Sequence, residues 1–406
     1  MSAPTTTSRR AGIADHLVPF GTTIFATMSR LAVEHNAINL AQGFPDFDGP
    51  AFIKFAAMEA METQHNQYAP MPGLPALRGA IAERFARDTG LMVNPDTQVV
   101  VTSGCTEAIA ATIMGICNPG DEVVLFEPFY DSYRAVVAMS GCVARFVALR
   151  PQSDGRFAFD EAELRGAFSD RTRAVLVNTP HNPTGKVFTR EELAMIAGLC
   201  QRHDVIAITD EVYERLLFSP GTHPHLHLAS FDGMRDRTIT LSSLGKTFSY
   251  TGWKIGWAIG SADLIAGVRA AHQFLTFAVA TPLQHAAVRA LEREQECVAD
   301  LVSLFAENRA VMMDALRNAG LTPYAPDGTY FIMADHSALS RRLGLSDDRA
   351  FCQFAVERAG IALIPPSVFF SRPELGANLV RLAFCKRRET IASAVDRLAN
   401  LARLAG

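Results

Sequence analysis

Apolar positions along this chain fall into two rhythms. From about residue 98, short and almost wholly apolar runs alternate with stretches of helical period. Continuous apolar runs are what strands covered on both faces require. They predict strands at 98–102, 122–126, 144–148, 174–178, 205–209, 238–242 and 255–259. Helical stretches between them include 106–117 and 190–203, the second opened by Thr189 as N-cap with Glu192 placed for a capping box. This alternation predicts an α/β domain with a seven-stranded, mostly parallel sheet and helices on both faces.

After Thr281 the rhythm changes. A helical stretch to about residue 318, a strand at 330–334, a helix near 348–359 and a strand at 379–384 predict a second, smaller α+β domain. The expected division is 1–50 as an N-terminal arm that also contributes to the small domain, 51–295 as the large domain, and 296–406 as the small one. The Ser/Thr-rich first eight residues are expected to be disordered.

Composition narrows the partners. The 406 residues carry 38 Lys plus Arg against 42 Asp plus Glu, a net charge of -4 with no long run of either sign. Neither a nucleic-acid stripe nor a polybasic membrane patch is present, which favours a small, roughly neutral partner. The longest small-apolar stretch, 108–117, falls well short of the roughly 20 residues that span a bilayer. The N-terminus has no apolar run of a secretory signal, and the seven cysteines are scattered without a C-x-x-C pair. Reduced thiols, a cytoplasmic location, and no disulfide framework, thiolate zinc site or other metal site are therefore expected.

Chemistry concentrates at predicted strand ends. Lys246 lies in Ser242-Ser243-Leu244-Gly245-Lys246-Thr247-Phe248, with Lys254 close behind and no carboxylate nearby. A lysine without an acid partner in apolar surroundings loses its proton easily and becomes a nucleophile for a carbonyl. Asp210 and Glu211 end the run that starts at Val205, at the edge where open α/β sheets bind ligands. There a carboxylate can hold a proton on a heterocyclic nitrogen; alone, it could equally cap the next helix. Asn182 lies in a Pro- and Gly-stiffened loop, Asn178-Thr179-Pro180-His181-Asn182-Pro183-Thr184-Gly185, that reads as a turn or as an aimed amide.

Thr102-Ser103-Gly104-Cys105-Thr106-Glu107 joins a strand to a helix N-terminus through a glycine, which is a phosphate cradle or a plain N-cap. It lacks the spacing of a Walker loop or of the dinucleotide G-x-G-x-x-G motif. Arg381, inside the apolar run 379–384, needs an internal carboxylate or a carboxylate ligand. His223, His225 and His227 read as a solvated loop rather than a metal site, and Gly252, Gly256 and Gly260 as close packing around a strand. One ligand would explain cradle, amide, acid, lysine and arginine together. It carries a phosphate, a protonated ring nitrogen, a phenolate-like oxygen and an aldehyde, which describes pyridoxal phosphate.

From about residue 18 to the C-terminus the sequence resembles the fold-type I, class I aminotransferases. It is most similar to the branch containing kynurenine, glutamine and methionine aminotransferases, through Asn39-Leu40-Ala41-Gln42-Gly43-Phe44-Pro45-Asp46-Phe47, Asn66-Gln67-Tyr68, Glu127-Pro128-Phe129-Tyr130-Asp131-Ser132-Tyr133 and the lysine segment. The resemblance implies that Lys246 bonds the aldehyde of pyridoxal 5'-phosphate and shuttles the proton, while Asp210 pairs with the ring nitrogen. Asn182 and Tyr213 would hold the ring oxygen, and Tyr130 would stack on the ring. Gly104, Cys105, Thr106, Ser243 and Lys254 would hold the phosphate.

Tyr68 is similar to the tyrosine that reaches a phosphate across a dimer interface, which implies a homodimer with shared active sites. Arg381, with Gly43 and Asn182, would clamp a substrate carboxylate. Phe25 and, from the partner chain, Phe277-Ala278-Val279 would line the side-chain pocket. The implied activity is ping-pong transfer of an amino group from a methionine-, glutamine- or aromatic-type L-amino acid to a 2-oxo acid. A cysteine-conjugate β-lyase and an N-succinyldiaminopimelate aminotransferase are the alternatives, and a non-catalytic protein built on the same fold is the reading of another class.

Overall fold

The structure is a computed structural model that describes residues 12–218, 221 and 223–404. The Ser/Thr-rich first eight residues lie outside this range. Seven strands form the main sheet: β1 (Val99–Ser103), β2 (Glu122–Glu127), β3 (Val143–Ala148), β4 (Thr172–Asn178), β5 (Ile206–Asp210), β6 (Thr238–Ser243) and β7 (Ile255–Ile259). Their spatial order is β1-β7-β6-β5-β4-β2-β3, with β7 antiparallel to both neighbours and every other pair parallel. This is the mostly parallel, seven-stranded α/β sheet expected from the apolar runs, each within one or two residues of its predicted bounds. β3 departs from the pattern: it is an edge strand whose first four residues alternate between exposed and half-buried.

Local signals explain the helices. Around Arg190–His203 the capping box closes in both directions, Glu192 N–H on Thr189 Oγ1 (3.3 Å) and Thr189 N–H on the Glu192 carboxylate (2.9 Å). The helix expected at 106–117 begins two residues earlier and spans Gly104–Ile116. The stretch expected as one helix to 318 breaks at Arg293 into Thr281–Glu292 and Glu294–Asn318. Helix Gly104–Ile116 crosses helix Ala262–Leu275 backbone to backbone, since a Cβ on Gly115 would stand 2.3 Å from the Gly267 carbonyl oxygen.

Beyond the main sheet, Thr322–Tyr324, Phe331–Asp335 and Leu379–Ala383 form an antiparallel sheet. The N-terminal segment docks there: Ile38–Asn39 pairs in parallel with Ile361–Ala362. One contiguous apolar core joins the main sheet (Val100, Leu125, Ile208) to Leu40, Phe384 and Leu398 of this second layer, fixing the two against each other. All seven cysteines are free thiols, and no described helix is long and apolar enough to cross a membrane.

Candidate active site

Sheet register brings four strand ends to one edge. Asn178 pairs with Asp210, Asp210 with Leu241, Ser243 with Gly256, and Gly256 with Thr102. Ser103, Asn178, Asp210 and Ser243 therefore emerge together at the carboxyl ends of β1, β4, β5 and β6, where an open α/β sheet leaves a crevice. A cavity of about 270 Å³ fills that crevice. Of the residues singled out for the site, Phe25, Gly43, Gly104, Cys105, Thr106, Tyr130, Asn182, Asp210, Tyr213, Ser243, Lys246, Lys254 and Arg381 line it, whereas Tyr68 and the stretch Phe277-Ala278-Val279, both expected to act across a dimer interface, do not.

At one end lies the helix N-terminus that follows β1. Gly104 takes φ +71°, which only glycine adopts freely, and it faces Gly256 of β7. A Cβ at Gly256 would stand 2.4 Å from the Gly104 carbonyl carbon and 2.6 Å from Cys105 N, so backbone meets backbone and the first N–H groups of the helix stay accessible. Lys254, itself at φ +54°, donates from Nζ to Thr106 Oγ1 at 3.1 Å. Free N–H groups, the positive end of the helix dipole and an ammonium together make an anion site. Ser243 ends β6 beside it.

Asp210 is buried in the middle of the cavity floor. Tyr133 Oη donates to Oδ2 at 2.6 Å, while Val212 N–H (3.3 Å) and the Cys105 thiol (3.5 Å) donate to Oδ1. Burial raises its pKa against the pull of these bonds, so the carboxylate gains from a cation brought to it. Cys105, expected only at the phosphate, thus turns its side chain to the acid and leaves its backbone to the cradle. Backbone and amide bonds tie the neighbouring strand to the same point: Asn178 Nδ2 donates to the Asp210 carbonyl (2.8 Å), and Asn178 Oδ1 accepts Asn182 N–H (2.7 Å).

Lys246 sits one turn past β6 with its Nζ 5.8 Å from the ring centres of both Tyr213 and Tyr330. It forms no ion pair among the described residues, and desolvation lowers its pKa. That is the condition for a neutral, nucleophilic amine.

Of the two alternatives the sequence left open for Arg381, the internal ion pair is not formed among the described residues. Only 2% of Arg381 is exposed. Its guanidinium donates to the Ala41 carbonyl (2.6 Å) and reaches Asn182 Oδ1 at 3.4 Å; Phe331, Phe25 and Phe369 pack around it at 4.4, 5.1 and 5.6 Å. Nε is buried without a partner, and burial pulls the pKa down to about 10. A buried guanidinium with an unused N–H beside a cavity calls for a carboxylate ligand.

Two expectations need correction. His225 and His227 are not solvated: both ring nitrogens converge on the buried Glu211 Oε2, at 3.0 and 2.5 Å, while His223 faces Asp327 at 3.4 Å. Burial of Glu211, one residue past Asp210, drew them in. Val279 packs into the core of its own chain, leaving Phe277 and Ala278 more exposed. Tyr68 lies outside the cavity, 85% exposed, against the edge of Phe277 at 5.5 Å.

Three residues near the cavity were not assigned from sequence. Tyr133 was quoted only as part of a motif. Tyr330 donates to the Gly43 carbonyl at 2.6 Å, and buried Lys386 donates to the carbonyls of Phe44 (2.7 Å) and Gln42 (3.3 Å). Together they pin segment 42–44 over the cavity. Lys386 follows an apolar run just as Arg381 interrupts one, and that was the signal available.

The donor set fits pyridoxal phosphate: an anion cradle that a side chain at Gly256 would fill, a buried acid without a cation partner among the described residues, a desolvated amine, and a guanidinium with an orphaned N–H. Comparison with known proteins agrees. Residues 35–398 match the family described as "Aminotransferase class I and II". The chain is 46% identical over 394 residues to a probable N-succinyldiaminopimelate aminotransferase of Mycobacterium tuberculosis, covering 95% of this chain and 98% of that protein. It is 40% identical to a methionine aminotransferase of Escherichia coli, covering 95% and 97%. The solved structure of N-succinyldiaminopimelate aminotransferase from Mycobacterium tuberculosis superposes with a TM-score of 0.92 at 46% identity, over 96% of this chain and 100% of that one.

Proposed function

The chain belongs to the class I and II aminotransferases and is an aminotransferase that uses pyridoxal 5'-phosphate; from that premise we propose that its amino donor is an L-amino acid with an uncharged side chain of medium size or aromatic character, and its acceptor a 2-oxo acid. The observation that carries this reading is Arg381. It is the one guanidinium among the described lining residues of the cavity, and it has an unused N–H. One such group holds one α-carboxylate; a dicarboxylic side chain would need a second. The cavity wall also carries the rings of Phe25, Phe44, Tyr130 and Phe331 beside the polar Gln42, Asn182 and Tyr213.

The residue roles follow. Arg381 binds the substrate carboxylate, assisted by Asn182 and the pinned backbone at Gly43. Bound pyridoxal phosphate supplies an aldehyde that joins an amine and an electron-poor ring that accommodates the charge left when the Cα proton departs. Lys246 would hold that aldehyde in the resting enzyme, and its desolvated amine is the base that would take and return the Cα proton of the substrate. Asp210 keeps a proton on the ring nitrogen, held ionised by Tyr133, Val212 and Cys105. Asn182 and Tyr213 hold the ring oxygen, Tyr130 covers the ring, and Gly104, Cys105, Thr106, Ser243 and Lys254 hold the phosphate. Because the oxo product leaves before the second substrate enters the same site, ping-pong kinetics follow.

We assign the exposed Tyr68, Phe274 and Phe277 to the interface of a homodimer, in which Tyr68 reaches the partner's phosphate. The exposure of all three rings, two of them (Tyr68 and Phe277) packed edge to face at 5.5 Å, supports this. The second reading, an N-succinyldiaminopimelate aminotransferase, is favoured by the 46% identity to a protein of that name. A panel of amino donors tests both. Rapid conversion with methionine, glutamine or phenylalanine supports the first; conversion confined to the succinylated diamino acid supports the second. If Arg381→Leu leaves KM for the donor unchanged, the assignment of the carboxylate clamp fails.

A further inference from the structure

The first turn of the cradle helix carries an acid, Glu107. A carboxylate there has two opposed effects. It stabilises a helix N-terminus, yet it opposes the positive dipole end and repels any phosphate bound a turn away. Its two oxygens are committed. Oε2 accepts the Ser103 N–H, the donor just before Gly104, and Oε1 meets His272 Nδ1 at 2.6 Å. His272 is fully buried, and its other nitrogen, Nε2, meets the Met71 carbonyl at 3.0 Å. An acceptor thus faces each ring nitrogen. Both bonds are satisfied only when the pair holds one proton more than a neutral ring beside an ionised acid. Wherever that proton sits between Nδ1 and Oε1, Glu107 and His272 together carry no net charge.

We propose that His272 is a positioning residue for the cofactor phosphate: it cancels the charge of Glu107, so that the acid orders the cradle without repelling the anion the cradle binds. Neither side chain lines the cavity, so both act through Ser103 and the helix start. The same histidine also joins the cradle to the elements assigned to the partner's site. Its backbone carbonyl accepts the N–H groups of Thr276 and Phe277, each at 3.0 Å, closing the turn that presents Phe277 to Tyr68, and Met71 belongs to the segment that follows Tyr68. The close Gly115–Gly267 crossing holds the two helices at the distance the pair needs.

This inference rests on the phosphate-binding role given above to residues 104–106, and the test separates the two. Enzyme stripped of cofactor is titrated with pyridoxal 5'-phosphate and with pyridoxal, which lacks the phosphate, following protein fluorescence; melting curves monitor folding. H272N is expected to weaken pyridoxal 5'-phosphate binding by about tenfold, the order of a charge left uncompensated near a helix end, while pyridoxal binding stays within about twofold. E107Q/H272N, which removes the stranded charge, is expected to recover most of the loss. His272→Gln should behave as H272N does and is read in its place should that variant not fold. The proposal is overturned if H272N weakens both ligands equally, or if the double variant binds no better than H272N. If the unaltered enzyme prefers pyridoxal 5'-phosphate to pyridoxal by no measurable factor, it is the cradle assignment itself that falls.

Discussion

Tyr133 and Asp210 are joined by a 2.6 Å hydrogen bond from phenol to carboxylate, below a cavity that brings no protein cation into contact with that carboxylate among the described residues. Burial of Asp210 raises its pKa, and the Tyr133 bond is the leading influence in the other direction. A hydrogen bond to a charged group contributes about 1.5–3 kcal/mol. Tyr133→Phe should therefore lower kcat by about 10- to 100-fold with little change in KM, because it weakens the acid's hold on the ring proton rather than substrate binding. Steady-state kinetics with a saturating oxo acid measure the split; a rise in KM at constant kcat would show that Tyr133 serves binding instead.

Arg381 predicts opposed effects on activity and stability. Among the described residues its buried guanidinium has no ion-pair partner, a costly state in the free enzyme. Arg381→Met keeps much of the volume among Phe25, Phe331 and Phe369 while removing the charge. We expect kcat/KM for the amino donor to fall by about 10²–10⁴, two charge-assisted hydrogen bonds being lost, and the cofactor-free melting temperature to stay level or rise. Calorimetry and kinetics on the same preparation decide. A clear drop in melting temperature would mean that the bonds to Ala41 and Asn182 outweigh the desolvation of the charge.

Most of this site was legible because its chemistry sits at strand ends, and strand ends are what apolar runs mark best. Val205–Ile208 announces a covered strand, and the acid after it must then face the crevice. The histidine loop shows where sequence fails: His223, His225 and His227 lie in a Pro-containing loop of polar appearance, and only the fold brings Glu211 beneath two of them. Tyr330 and Lys386 were hidden for a similar reason. Their partners are backbone carbonyls of segment 42–44, almost three hundred residues or more away, and a carbonyl has no signature in sequence. The break at Arg293 likewise interrupts an otherwise helical pattern without a proline or glycine.

Lys246 makes a prediction about pH. Desolvation lowers its pKa below the ordinary 10.5, so the unfolded chain binds this proton more tightly than the folded, cofactor-free enzyme does. Stability rises with pH wherever the unfolded state holds more protons. The penalty from Lys246 is thus complete below its folded pKa, shrinks as pH climbs through that value toward 10.5, and is gone above it. Lys246→Met should be more stable than the unaltered enzyme near neutral pH, and the gap should close as pH approaches 10.5. Denaturant titrations of both proteins without cofactor across this range give the difference directly. A gap that is constant with pH would assign the gain to packing and not to charge.

Gly256 offers a test of the cradle that touches no chemical group. It lies within β7, fully paired on both sides, so alanine is acceptable to the strand itself. What a methyl group would meet is backbone, 2.4 Å from the Gly104 carbonyl carbon and 2.6 Å from Cys105 N, and backbone cannot rotate aside as a side chain does. Gly256→Ala must push the helix start away from the sheet edge, carrying the N–H groups and the Thr106 partner of Lys254 with it. Overpacking of this kind costs about 1–3 kcal/mol of stability. Because the displaced atoms are those that face the phosphate, the larger effect should be on cofactor retention, with dissociation of pyridoxal 5'-phosphate faster by at least about tenfold, since near 1 Å misplacement is enough to forfeit well-aligned hydrogen bonds. Gel filtration followed by absorbance of the retained cofactor measures this. Full retention alongside a lowered melting temperature would place the strain in the sheet and leave the phosphate held elsewhere.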